Sequence, residues 1–249
     1  MTVGDVSREQ MKVGVSSTIR QFLREPINLV LLVVLPVILI STYGSIMSAF
    51  PELPYMTASP ETIGAMAGTL FVAAFLPGVI GLFQVISAKR ADERLSVTGF
   101  SRSALFASRL LAILLASLLT ATISMTVLST RIDVESVGLS LIILVFVGGL
   151  YGLIGMLIGV ILPRELEGSL VLIFFVDMDE ALASGIMQTD ATIAKLFPLH
   201  YPHKLFQAAV DGNEIVASDV VAAGVYAIIL LAVTLHAYTA LTDSGGVLS

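Results

Sequence analysis

A chain of 249 residues, 56% of them hydrophobic and only 13% charged, is not composed like a soluble globular protein, in which roughly 25% of residues are charged. A hydrocarbon core ~30 Å thick needs roughly 20 consecutive, mostly apolar residues in helical form, and several windows of this chain meet that length. The absence of cysteine excludes disulfides, thiol catalysis and zinc-thiolate sites, and a net charge of −6 argues against a nucleic-acid partner.

In chain order, residues 1–26 come first. Met11, Val15, Ile19 and Phe22 recur at helical spacing, with Arg8, Lys12, Arg20 and Arg24 mostly on other faces. That pattern suits a helix lying in the cytoplasmic interface and ending before Pro26; the alternative is a polar leader frayed in solution. The segment has no short apolar stretch with a cleavage site, so the first span is expected to act as an uncleaved signal anchor.

Six spans follow, at about 27–47, 64–87, 103–128, 137–162, 164–187 and 220–241, forming a single all-α membrane domain over residues 1–249. Pro36 and Pro77 fall inside the first two, which neighbouring helices make tolerable in lipid. Basic residues set the orientation. Arg8, Lys12, Arg20 and Arg24 precede the first span, Lys89, Arg90, Arg94 and Arg102 fall between the second and third, and Arg164 lies between the fourth and fifth. The opposite side holds only Arg131, Lys195 and Lys204. Both termini are therefore expected in the cytoplasm, which an even number of spans satisfies.

The fourth span carries Gly148, Gly152, Gly155 and Gly159 on one stripe, where a second helix backbone can approach closely. The stripe serves either packing within one subunit or a dimer or sliding contact. The fifth span is the anomaly, because it runs into Asp177, Asp179 and Glu180. A charge at the bilayer centre costs about 2.5–3.5 kcal/mol on insertion scales, so a plain lipid-facing helix is excluded there. Counting from Arg164 on the inner side, Asp177 lies about 20 Å deep, beyond the midplane.

Broken backbone at that depth must be buried in protein or line water. Bends at Ser184-Gly185, Phe197-Pro198 and Tyr201-Pro202 would fold residues from Asp177 to about Ala209 into a re-entrant hairpin in the outer leaflet. The acids then either bind or gate a cation, with Asp177 and Glu180 sharing a helical face, or line a wet vestibule with no specific ligand. The vestibule wall is the expectation favoured by composition. His200 and His203, beside Lys204, suggest a pH-sensitive or metal patch, but two histidines without a third ligand read better as surface residues of an external loop.

No G-x-x-x-x-G-K-[ST], H-E-x-x-H or G-x-S-x-G occurs, so the chain offers no phosphate-cradling loop, zincin site or nucleophile elbow. It is expected to be non-enzymatic, with no metal or cofactor of its own.

The charged segment between the second and third spans resembles the cytoplasmic signature of ABC transporter permeases of the second type, the six-span exporter subunits. That signature resembles E-R-L-L-A-T-P-V-S-R followed by a helix containing L-L-G-K-L-L. Here Glu93, Arg94, Leu95, Thr98, Ser101 and Arg102 match, and Arg109 stands at the basic position of the helix that follows. Gly99 replaces the proline, Ser108 the glycine, and Arg90-Ala91-Asp92 departs from the usual Gly-Thr-Leu. Arg24-Glu25-Pro26 and the Pro198–Pro202 region are similar to the entries into the family's first and last spans.

The resemblance implies a dimeric unit, with itself or with a second permease, coupled to separate ATP-binding subunits that carry the ATP and magnesium. The segment would be a cytoplasmic coupling helix: Asp92, Glu93, Arg94 and Arg102 would offer charge pairing, Leu95, Val97 and Phe100 would anchor in a pocket, and Thr98 and Ser101 would add polar contacts. The expected function is an ATP-driven exporter permease of the cell membrane. The rival is a secondary carrier or channel using the fifth-span acids, and a basic loop that only fixes topology is the plain reading of the charged segment.

Overall fold

The computed structural model describes residues 26–52, 58–97, 102–184 and 191–244. All of its regular structure is helical. In order, α1 is Pro26–Met47, α2 Pro60–Val97, α3 Arg102–Ser129, α4 Val137–Ile161 and α5 Glu165–Ala183. After these come a single turn α6, Ala191–Ala194, then α7, His200–Asp211, and α8, Ala217–Ser244. Each expected span corresponds to a long helix. By length and composition four of them can cross a membrane: Pro60–Ser87, Ser103–Ser129, Val137–Ile161 and Ala217–Ala240. In α1 the described apolar run, Leu32–Met47, is shorter, and α5 carries Glu165, Glu167, Asp177, Asp179 and Glu180. The expected interfacial helix at 1–26 falls almost wholly outside the described residues.

The centre of the bundle is α2 with α4. Each is 67% buried along its apolar window, against 11% for α8. Around them α2 also packs on α1, α3 and α5, while α4 also packs on α3, α7 and α8. Leu70, Leu144, Val147, Leu172 and Val176 fill the space between them. The opposite faces carry Ile142, Phe174 and Ile228, large apolar side chains that are exposed, as a lipid-facing surface requires.

The glycine stripe of α4 is taken up within the chain. A Cβ at Gly155 would run into the Gly78 carbonyl, and one at Gly152 into the Ile113 side chain. At Gly159 it would lie 2.9 Å from the Leu82 carbonyl oxygen, and at Gly148 2.5 Å from Ser117 Oγ. In lipid, where apolar side chains gain nothing by leaving the solvent, such backbone-level van der Waals contact is what holds helices together.

Two local expectations change. The charged segment is not a separate short helix: α2 continues unbroken from Ser87 to Val97. No proline or glycine interrupts residues 82–97, and Ala88, Lys89, Arg90, Ala91, Glu93, Arg94 and Leu95 all favour helix. Second, Tyr201-Pro202 is not a bend. Pro202 sits in the first turn of α7, where a missing N–H costs nothing.

The segment after α5 is pinned at its far end. Backbone N–H groups of Glu135 and Ser136 donate to the carbonyls of Val210 and Ala209, both at 3.1 Å. Gly212, with φ 70°, ends α7 in the left-handed conformation that glycine adopts without steric cost.

Replacing Gly155 by leucine is expected to cost about 3 kcal/mol or to abolish folding, because the Gly78 backbone cannot yield. Gly224→Ala, which meets nothing within 4 Å, should be neutral or slightly stabilising. Thermal unfolding of the two purified variants in one detergent checks the contrast.

Candidate functional site at the end of α5

Asp177, Asp179 and Glu180 occupy the last two turns of α5. At about 100° per residue they leave the helix in different directions, and each meets a different element. Asp177 is exposed and accepts a hydrogen bond from Tyr43 Oη of α1 at 3.0 Å. Asp179 is fully buried. Its Oδ2 accepts from Tyr151 Oη of α4, and its carboxylate also takes the Leu199 backbone N–H, with Oδ2 at 3.1 Å and Oδ1 at 3.4 Å. Glu180, 3% exposed, has Oε1 3.3 Å from Nδ1 of His203 on α7.

Of the three acids expected to line a wet vestibule, Asp179 and Glu180 are instead buried, and Asp177 alone is exposed. A buried carboxylate needs donors, and Asp179 finds one phenol and one backbone amide. That amide belongs to the N-cap residue of α7, where the helix has an unused N–H and the positive end of its dipole.

The histidines also differ from expectation. His200 is 9% and His203 6% exposed, so neither is a surface loop residue. The reason is periodic: His200, His203, Phe206 and Val210 fall on one face of α7, and that face packs inward, while Lys204 and Asp211 are exposed. Burial, and next the Lys204 ammonium, hold the His200 imidazole below its ordinary range. Among the described residues no group of three or more His, Asp or Glu side chains is arranged to hold a metal ion.

Aromatic rings close the site. Tyr151 meets Phe175 at 6.4 Å between centroids, Phe175 meets Phe197 at 6.1 Å, and Tyr226 Oη of α8 donates to the Leu196 carbonyl at 3.3 Å. The result is a junction of α1, α4, α5, α7 and α8 built on carboxylates. Tyr43, Tyr151 and the Leu199 amide are absent from the sequence-based site. A tyrosine inside an otherwise apolar span is the signal that points to them, because a buried phenol needs a partner.

Nearby, at the same end of the bundle, an open polar cleft of about 430 Å³ lies between α2, the α3–α4 turn and the end of α7. Arg131, Asp133, Asp211 and Thr62 line it, and Arg131 is 3.9 Å from Glu61. At the opposite end Arg109 Nε donates to Tyr238 Oη at 3.2 Å, joining α3 to α8.

The charged extension of α2 reaches Val97, and α3 begins at Arg102. Thr98, Phe100 and Ser101 lie outside the described residues, as do the side chains of Asp92, Glu93, Arg94, Leu95, Val97 and Arg102. The structure places this segment and the acids at opposite ends of α2 and α5.

The family model of the ABC-2 type transporter matches residues 9–209, from ahead of α1 into α7. The chain belongs to the ABC-2 type transporter family. It is a multi-pass membrane protein with a transport permease role, and the matched domain is a membrane domain rather than an ATPase. No curated protein matches it. In this ABC-2 permease the matched residues include both the charged extension and the acid junction.

Tyr151→Phe in the permease leaves buried Asp179 one donor short, and is expected to cost about 1–3 kcal/mol. Tyr43→Phe removes a donor from an exposed carboxylate that water can replace, and should cost well under about 1 kcal/mol. A matched pair of detergent melts tests the order, which a reversed ranking would refute.

Proposed function

We propose that this chain is the permease subunit of an ATP-driven exporter, a dimer powered by two separate ATP-binding subunits on the cytoplasmic side of the cell membrane. The observation that carries this reading is the length of α2. Its 38 residues span about 57 Å, against a hydrocarbon core of ~30 Å. The stretch from Ser87 to Val97 thus projects about 15 Å past the apolar window as continuous helix, and it carries Lys89, Arg90, Asp92, Glu93 and Arg94. A force applied at Val97 acts directly on the central helix of the bundle.

On this reading α1 and α5 complete six spans in one domain, both termini are cytoplasmic, and the basic residues of the α2 extension hold that end inside. The N-terminal segment lies in the cytoplasmic interface. The acid junction is then on the external side, and the α6–α7 segment is a re-entrant hairpin set into the outer leaflet, its backbone buried against α4, α5 and α8. Asp177, Asp179 and Glu180 gate the external exit, because opening it requires α5 to part from Tyr43, Tyr151 or α7. ATP and magnesium on this reading belong to the partner.

The partner should grip the segment 92–102 through the charges of Asp92, Glu93, Arg94 and Arg102 and the apolar Leu95, Val97 and Phe100. The double variant Glu93→Lys with Leu95→Asp should lower co-purification of the ATP-binding subunit at least tenfold, a loss of about 1.4 kcal/mol or more, while membrane insertion is unchanged. Quantifying the co-eluting ATPase by mass decides it. Undiminished recovery would remove this segment from the coupling interface, and transport by the chain alone, indifferent to ATP, would replace the exporter by a carrier.

A further inference from the structure

Asp179 is answered by two donors, but its neighbour is not. Glu180 and His203 are both more than nine-tenths buried. Among the described residues neither oxygen of Glu180 makes a hydrogen bond, nor does His203 Nδ1, although Nδ1 and Oε1 are only 3.3 Å apart. His200 Nε2, one turn earlier on the same face of α7, is also buried and without a hydrogen bond. Three buried polar atoms with no hydrogen bond thus meet where α5 meets α7, and a fourth lies one turn back on α7. Buried polar groups are otherwise almost always paired.

What this site lacks is a proton. With Glu180 ionised and His203 neutral, the pair carries a net negative charge in a space closed to water, one residue from Asp179. One further proton makes the pair neutral as a whole, whether it rests on the imidazole or on the carboxyl. We propose that Glu180 and His203 together bind one proton, and that this proton holds α7 against α5.

The surroundings act in both directions. Asp177 and Asp179 on α5 repel a second negative charge and so favour the proton, while the phenols Tyr43 of α1 and Tyr151 of α4 are uncharged and are taken up by Asp177 and Asp179. On the other side, Lys195 and Lys204 act on His200 against added positive charge, and Asp219 of α8 for it. Tyr226 of α8 faces Asp179.

The sign of the effect follows from linkage. The docked form of α7 binds the proton more tightly than the undocked form, in which both groups are hydrated. Docking is therefore strongest at low pH and weakens as pH rises through the titration of the pair, which behaves as one unit. This inference rests on the gating role given to the acids above, and it assigns the gate its ligand: a proton from the side on which the hairpin lies.

Hydrogen exchange of the full-length permease in nanodiscs, where both faces share one buffer, tests the inference without reference to orientation or to an ATPase. Amide protection over His200–Asp211, corrected for intrinsic exchange, is expected to fall at least tenfold between pH 6 and pH 8.5 in the unaltered protein. Glu180→Gln should flatten or reverse that slope, since it removes the negative charge that the proton offsets, while Asp179→Asn should keep it. A flat profile in the unaltered protein would overturn the proposal. So would an undiminished slope in Glu180→Gln, or its loss in Asp179→Asn instead. If the profile is flat while the ATP-binding subunit still co-purifies, only the proton site falls and the exporter reading stands.

Discussion

Where α2 meets α4, two pairs of glycines replace side chains at the contact, Gly78 with Gly155 and Gly81 with Gly152, and the two backbones touch. That approach fixes much of what lies around it. A Cβ at Gly78 would also lie 3.0 Å from Leu172 and 3.3 Å from the Tyr151 carbonyl, so α5 rests in the same seam. One turn away, Gly168 of α5 meets Leu82 of α2 in the same fashion. With Leu172 set at Gly78, two turns of α5 bring Asp179 to Tyr151. The acid junction is therefore positioned by apolar packing below it, and not by its own charges.

The charges raise a different question, which is how a helix with five acids packs in a bundle of apolar helices. Each carboxylate at the bilayer centre would cost about 2.5–3.5 kcal/mol if left to lipid. In α5 Asp177, Asp179 and Glu180 leave the helix toward α1, α4 and α7, Glu165 and Glu167 are exposed in its first turn, and Leu166, Leu170 and Phe174 are exposed as well. One face is thus a protein interior with donors waiting, and the other is apolar. Replacing the donors by apolar residues would strand a buried charge, which is why Tyr151 and the start of α7 are as much part of the site as Asp179 itself.

The long helices are legible in the sequence because a run of apolar residues of sufficient length has few other meanings, and the extents expected for the spans lie close to the helices found. The family was legible as well, from Glu93 to Arg102 and Arg109. The junction was less so. Tyr43 and Asp177 are 134 positions apart, and Tyr151 and Asp179 are 28 apart, so no local pattern announces either pair. The burial of His200 and His203 is another matter, since their spacing with Phe206 and Val210 is helical and could have been read. The continuation of α2 to Val97 was hidden by its charge, which marks the end of a span but not the end of a helix.

That continuation links the two ends of the molecule. On the proposed coupling, an ATPase moves the Val97 end of α2, and the same helix reaches Gly64 and Gly68, which bear on Met47 and Tyr43 of α1. Tyr43 in turn holds Asp177. Between these ends stands Pro77, which has no N–H to close the turn below it and so marks the point where α2 bends most easily. Its ring lies against Gly148, and Gly78 beside it touches Gly155. A bend at Pro77 would therefore shift α2 against α4 at the seam that sets the depth of α5. Motion at the charged end would then reach the acids both along α1 and through α5, and the junction would open from two sides at once.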